Sequence, residues 1–143
     1  MNAPALLLPA ALLAAWALPA PIAAAQDKTP AYTPLRPVSE CLRPDRVNEW
    51  YVVDQTTVIA RAGPDRYLIK LQAKCPQLGI GQSLRFRPNR ANEAAGMGAM
   101  CGEAGETVAS RDQPPCAVQS IGKIDKAQFD ALGSKAGKHG TQP

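Results

Sequence analysis

Apolar and polar positions alternate most cleanly in the middle of the chain. Over Ser83-Leu84-Arg85-Phe86-Arg87, Leu84 and Phe86 fall on one side, and Ser83, Arg85 and Arg87 on the other. A period of two marks a strand with one face buried. Tyr67, Ile69 and Leu71 alternate in the same way within Arg66 to Leu71. Upstream, Trp50-Tyr51-Val52-Val53 and Thr56 to Arg61 are rich in aromatic and β-branched residues, which suit a pleated strand. Asp54-Gln55 and Ala62-Gly63-Pro64-Asp65 carry turn chemistry between them. The pattern predicts strands over 49–53, 56–61, 66–72 and 83–87, the first three forming an antiparallel meander. Val58, Ile69, Leu71, Leu84 and Phe86 are the expected core. Shorter strands are expected over 106–109 and 117–124, separated by the Gln113-Pro114-Pro115 turn. The fold expected is all-β: a small antiparallel meander or barrel-like domain of about five to six strands.

The two ends read differently. Residues 1–25 carry no charge, hold an apolar run from Ala10 to Leu18 and end in Ala23-Ala24-Ala25. A short apolar stretch before small residues is the pattern of a cleavable signal peptide. Pro9, Pro19 and Pro21 interrupt it, which argues against a membrane-spanning helix. Gln26, not cysteine, follows the small residues, so no lipid attachment is expected. The mature product is expected to be soluble, periplasmic or secreted, with no stable membrane insertion. Residues 26–40 hold Pro30, Pro34 and Pro37 and read as a Pro-rich linker. At the other end Asp125 is placed to cap a short helix with Phe129 and Leu132 on one face, and Gly133 ends it. Small polar residues from Ser134 onward predict a disordered tail. The domain itself is expected over 41–124, with helix and tail over 125–143.

Four cysteines, Cys41, Cys75, Cys101 and Cys116, all lie after the leader, at gaps of 34, 26 and 15 positions. An even count in an exported chain of this size predicts two structural disulfides. The wide gaps and the absence of an accompanying histidine argue against zinc. Cys75 stands before the turn into the 83–87 strand and Cys101 in the loop that leaves it. The preferred pairs are therefore Cys75 with Cys101 and Cys41 with Cys116.

The net charge of +4 is a mild bias, unlike the dense basic stripe of a nucleic-acid binder. The sole histidine, His139, lies in the expected tail, so no histidine-based triad or metal site is expected in the body. No cofactor is expected. Asp54 and Asp65 fall at turns, where carboxylates bond nearby backbone. Gly96-x-Gly98 and Gly102-x-x-Gly105 lack the strand, helix and Lys-Ser/Thr ending that a phosphate loop needs. What remains is charge. Arg85 and Arg87 face outward if Leu84 and Phe86 face the core, and Arg90 follows just past Pro88. Arg66 and Lys70 are expected on the same sheet face. These cations fit an anionic envelope polymer or an acidic exported partner; the plainer reading is a solvated face that guards a strand edge.

The order Cys41, Val52-Val53-Asp54 with Thr57, Tyr67-x-Ile69-x-Leu71, Lys74-Cys75-Pro76-x-Leu78, Met100-Cys101 and Cys116 with Ile121 resembles a family of short exported bacterial proteins. That family is described as a domain of unknown function. The resemblance covers roughly 41–124 and implies export and a compact body, with no activity to carry over. The Gly/Ala-rich stretch before Cys101 and the long tail depart from the pattern. The expected function is a non-catalytic binding or accessory module of the cell envelope. The alternative is an inhibitor or structural partner of another exported protein; an enzyme is not expected.

Overall fold

A computed structural model describes residues 36–141. The expected signal peptide and most of the Pro-rich linker lie outside the described residues. The meander forms as the alternation requires: β1 Val47–Asp54, β2 Thr57–Ala62 and β3 Asp65–Leu71 pair antiparallel in chain order. The first turn is set by Asp54, whose carboxylate accepts from the Thr56 backbone N–H at 2.7 Å and the Thr56 hydroxyl at 2.8 Å. Holding its own downstream backbone is what a turn aspartate does. The second turn places Gly63 at φ 61°, a left-handed conformation that only glycine adopts freely.

Downstream come β4 Leu84–Arg87, helix α1 Arg90–Ala94, β5 Thr107–Ser110, β6 Cys116–Lys123, helix α2 Lys126–Gly133 and β7 Lys138–Thr141. The sheet runs β4-β5-β6-β3-β2-β1-β7. It curls into a nearly closed, barrel-like form. On one side β4 lies against the 3-10 turn Pro44–Arg46 that leads into β1. On the other, the segment after β3 spans from β5 to β7. There Gly79 N–H donates to Ser110 Oγ at 2.8 Å, and Lys138 Nζ donates to the Leu78 carbonyl at 3.0 Å.

The five expected core residues, Val58, Ile69, Leu71, Leu84 and Phe86, are all buried, together with Trp50, Leu42, Met100, Val108 and Val118. Burying such side chains is the main favourable term, about 1.5–3 kcal/mol each. β2 buries Ile59 on its outer face as well, because α2 covers it. Asp125 caps α2 as its sequence predicts, in a reciprocal capping box with Gln128.

Two expectations need correction. The tail is not disordered through its described part: β7 is a seventh strand, paired with Glu49–Val52 of β1. Its residues show no apolar alternation. It is held by the open edge of β1 and by Gly140, whose missing side chain leaves room for the Trp50 indole; a Cβ there would collide with the ring. A short helix that the pattern does not predict, α1, precedes the Gly/Ala-rich stretch and is capped by Asn89, which accepts the Asn92 N–H at 2.8 Å. The disulfides join Cys41 to Cys101 and Cys75 to Cys116, not Cys75 to Cys101 and Cys41 to Cys116. Tertiary pairing decides both. Leu42 and Met100 form a backbone bridge, which brings the Cα atoms of Cys41 and Cys101 to 4.5 Å. The β3–β6 ladder sets Leu71 opposite Val118, so Cys75 and Cys116, just beyond, meet with Cα atoms 6.2 Å apart.

Candidate functional site

Alternation along β4 buries Leu84 and Phe86 and turns Arg85 and Arg87 outward, where both are exposed. Cross-strand pairing puts Arg85 beside Ala109 and Arg87 beside Thr107 of β5. The chain then leaves β5 through a turn closed by Gln113 N–H donating to the Ser110 carbonyl at 3.2 Å. Asp112 in that turn has φ 59° and is the only non-glycine residue with positive φ among the described residues. The turn brings Arg111 to the same place. Arg85, Arg87, Arg111, Asp112 and Gln113 together line a shallow concavity of about 260 Å³.

Most cations elsewhere on the domain have partners. Arg61 pairs with Glu49 at 3.0 Å, Lys123 with Asp65 at 3.2 Å, Arg43 with Asp45 at 3.1 Å and Lys126 with Asp130 at 2.5 Å. Among the described residues, none of Arg85, Arg87 and Arg111 makes an ion pair or a side-chain hydrogen bond. Three exposed arginines without a side-chain partner therefore line one concavity.

The other expected cations do not join them. Arg90 is exposed at the first residue of α1, next to this stretch in sequence, but it does not line the concavity. Arg66 and Lys70 lie on β3, beyond β5 and β6. Arg66 donates to the Pro64 carbonyl and its guanidinium stands 6.0 Å from the Phe129 ring; Lys70 donates to Thr57 Oγ1 at 2.8 Å. Arg111 is the residue that the sequence pattern missed. Its signal was positional: it is the first cation after the 106–109 strand, which pairs with β4.

His139 is not in a disordered tail. On β7 it stacks over Tyr51, with ring centroids 5.8 Å apart, and Phe129 meets the same tyrosine edge-on. The Tyr51 hydroxyl donates to Glu49 at 2.5 Å, and Glu49 in turn holds Arg61. Donation to that carboxylate holds the phenol proton more tightly and raises its pKa. Tyr51 and Arg61 thus share the Glu49 carboxylate.

Among the described residues two carboxylates are buried, Glu103 and Glu106. Glu106 is fully buried and accepts the backbone N–H groups of Cys101 at 2.7 Å and Gly102 at 2.8 Å. Burial pushes its carboxyl pKa up, and the backbone donors oppose that rise. Glu103 accepts from Asn89 Nδ2 at 3.1 Å. Both fasten the loop between α1 and β5, which Cys101 ties to the start of the domain. That loop presses close on β6: a Cβ at Gly102 would stand 2.7 Å from the Ile121 backbone nitrogen. Neither carboxylate lines the arginine concavity. Among the described residues, no group of three or more His, Cys, Asp or Glu side chains is placed to hold a metal ion. Nor is any helix among them long and apolar enough to cross a membrane.

The two disulfides are features of an oxidising compartment. No curated protein and no solved structure matches the chain. Residues 1–140 match the model of a family of unknown function (DUF6491), and the chain belongs to that family.

Proposed function

We propose that the protein is exported and serves as a non-catalytic binding module of the cell envelope, meeting an anionic ligand through Arg85, Arg87 and Arg111. The observation that carries this reading is the convergence of three unpaired guanidinium groups on one concavity. Arginine's planar fork binds carboxylate or phosphate oxygens in a bidentate way. The signal-peptide pattern of residues 1–25 and the two disulfides support an address outside the cytoplasm.

The test is co-sedimentation of the protein with an envelope fraction at low and high salt, for the unmutated chain and for R85Q/R87Q. The unmutated protein is expected to sediment at low salt and to be released as salt rises, because exposed charges are screened. R85Q/R87Q should remain in the supernatant. Equal sedimentation of the two proteins would remove the arginines from the binding role.

A further inference from the structure

The arrangement of the three guanidinium groups bears on the shape of the ligand. We infer that this site, read as anion-binding above, takes a linear phosphate-bearing polyanion laid along β4, rather than a single compact anion. Arg85 and Arg87 are two residues apart on one strand, so their Cβ atoms stand about 6.8 Å apart on one face. Arg111 follows Ser110, the last residue of β5, which pairs with Leu84, so it comes after Arg87 and Arg85 in order along the strand pair. The cations thus form a row rather than a ring. All three are exposed, and the buried hydroxyl at the concavity, Ser110, already donates to the Gln77 carbonyl at 3.0 Å. A compact anion would use one fork of this row and leave the others idle. A chain of anionic groups uses each in turn, and releases counterions with every contact.

An acidic peptide fits the geometry less well. An extended peptide binds a sheet by adding to the backbone of an edge strand. Arg85 and Arg87 project off the face of the sheet, perpendicular to that edge, and Arg111 lies on the β5 side, away from it. Asp112 is the carboxylate at the turn end of the concavity. It repels an anion there, next to Arg111.

The experiment measures binding of orthophosphate, tripolyphosphate and long-chain polyphosphate to the purified disulfide-bonded protein. Long-chain polyphosphate is expected to bind about ten-fold or more tighter than orthophosphate, because contacts on one chain reinforce each other. The slope of log K against log salt should become shallower with each Arg→Gln change in the row. Asp112→Asn should tighten binding. Orthophosphate binding as tightly as the long chain would overturn the linear ligand and leave the binding module standing. A Glu-rich peptide binding more tightly than polyphosphate would overturn it in favour of an acidic protein partner. Failure of every anion, together with unchanged sedimentation of R85Q/R87Q, would remove both readings.

Discussion

The β1–β3 meander and the β4–β5 pair belong to one sheet but are held by different means. In the meander the ladders run the length of the strands, from Val47 opposite Ala62 to Asp54 opposite Thr57 and from Thr57 opposite Lys70 to Ala62 opposite Asp65. Both faces of β2 are covered. The β4–β5 pair is short, and only Thr107–Ala117 and Val108–Cys116 register β5 on β6. Covalent and buried polar ties make up for the missing ladder. Cys101 and Cys116 flank β5 and are bonded back to Cys41 and Cys75, and Glu106 holds the loop that leads into β5. Charge divides the same way. The outer face over β1 and β2 is a closed set of ion pairs and ring contacts, while the face over β4 and β5 carries unpaired arginines. A strand pair anchored by disulfides is free to spend its surface on something other than its own stability.

The largest expected effect breaks the covalent ties. Replacing the Cys41–Cys101 bridge, which spans 60 positions, by C41A/C101A should cost about 3–4 kcal/mol in urea unfolding. Amide exchange should rise first at Leu84–Arg87 and Thr107–Ser110, with Thr57–Leu71 still protected, because local stability follows local fastening. Uniform loss of protection would show that the two regions are one cooperative unit.

A smaller effect is expected at Glu106. Glu106→Gln keeps the shape but offers one acceptor where two backbone donors converge, and should cost about 1–2 kcal/mol at neutral pH. Its folded pKa is raised above the ordinary 4.5, so the folded state holds this proton more tightly than the unfolded chain. The resulting stabilisation is full below the unfolded value and is lost as pH rises through the folded one. Glu106→Gln should therefore remove a component of stability that grows as pH falls from neutral toward 4.5. An unchanged pH profile of unfolding would show that Glu106 does not supply that component.

The smallest effect sharpens the contrast in charge. R85Q/R87Q should shift stability by no more than about 0.5 kcal/mol, since nothing in the domain relies on those groups. Glu49→Ala, which strips Tyr51 and Arg61 of their shared acceptor, should cost about 1 kcal/mol. Equal losses would mean that the arginine face is also internally satisfied.

The same division explains what could be read from the sequence. Val58, Ile69, Leu71, Leu84 and Phe86 were legible because alternation and burial are the same fact seen at two scales. Arg85 and Arg87 were legible as their complement. Arg111 was not, since its place depends on a turn geometry that a left-handed Asp112 completes. The cysteine partners were not legible either: spacing along the chain says nothing of the Leu42–Met100 bridge or of the β3–β6 register. β7 was hidden for a related reason. Lys138-His139-Gly140-Thr141 has no apolar pattern, and only the β1 edge, with Trp50 and Tyr51 waiting on it, makes a strand of it.

That last pairing sets an order of events. Synthesis runs from the first residue to the last, so β1 and its tryptophan emerge long before the strand that shields them. Until Lys138–Thr141 pairs, the β1 edge offers open backbone donors and acceptors to any neighbouring chain. A chain ending before Lys138 would keep the other six strands and all four cysteines, yet leave that edge unpaired. Lys138–Thr141 thus close the edge that the rest of the sheet leaves open, and the domain's last strand is also its cover.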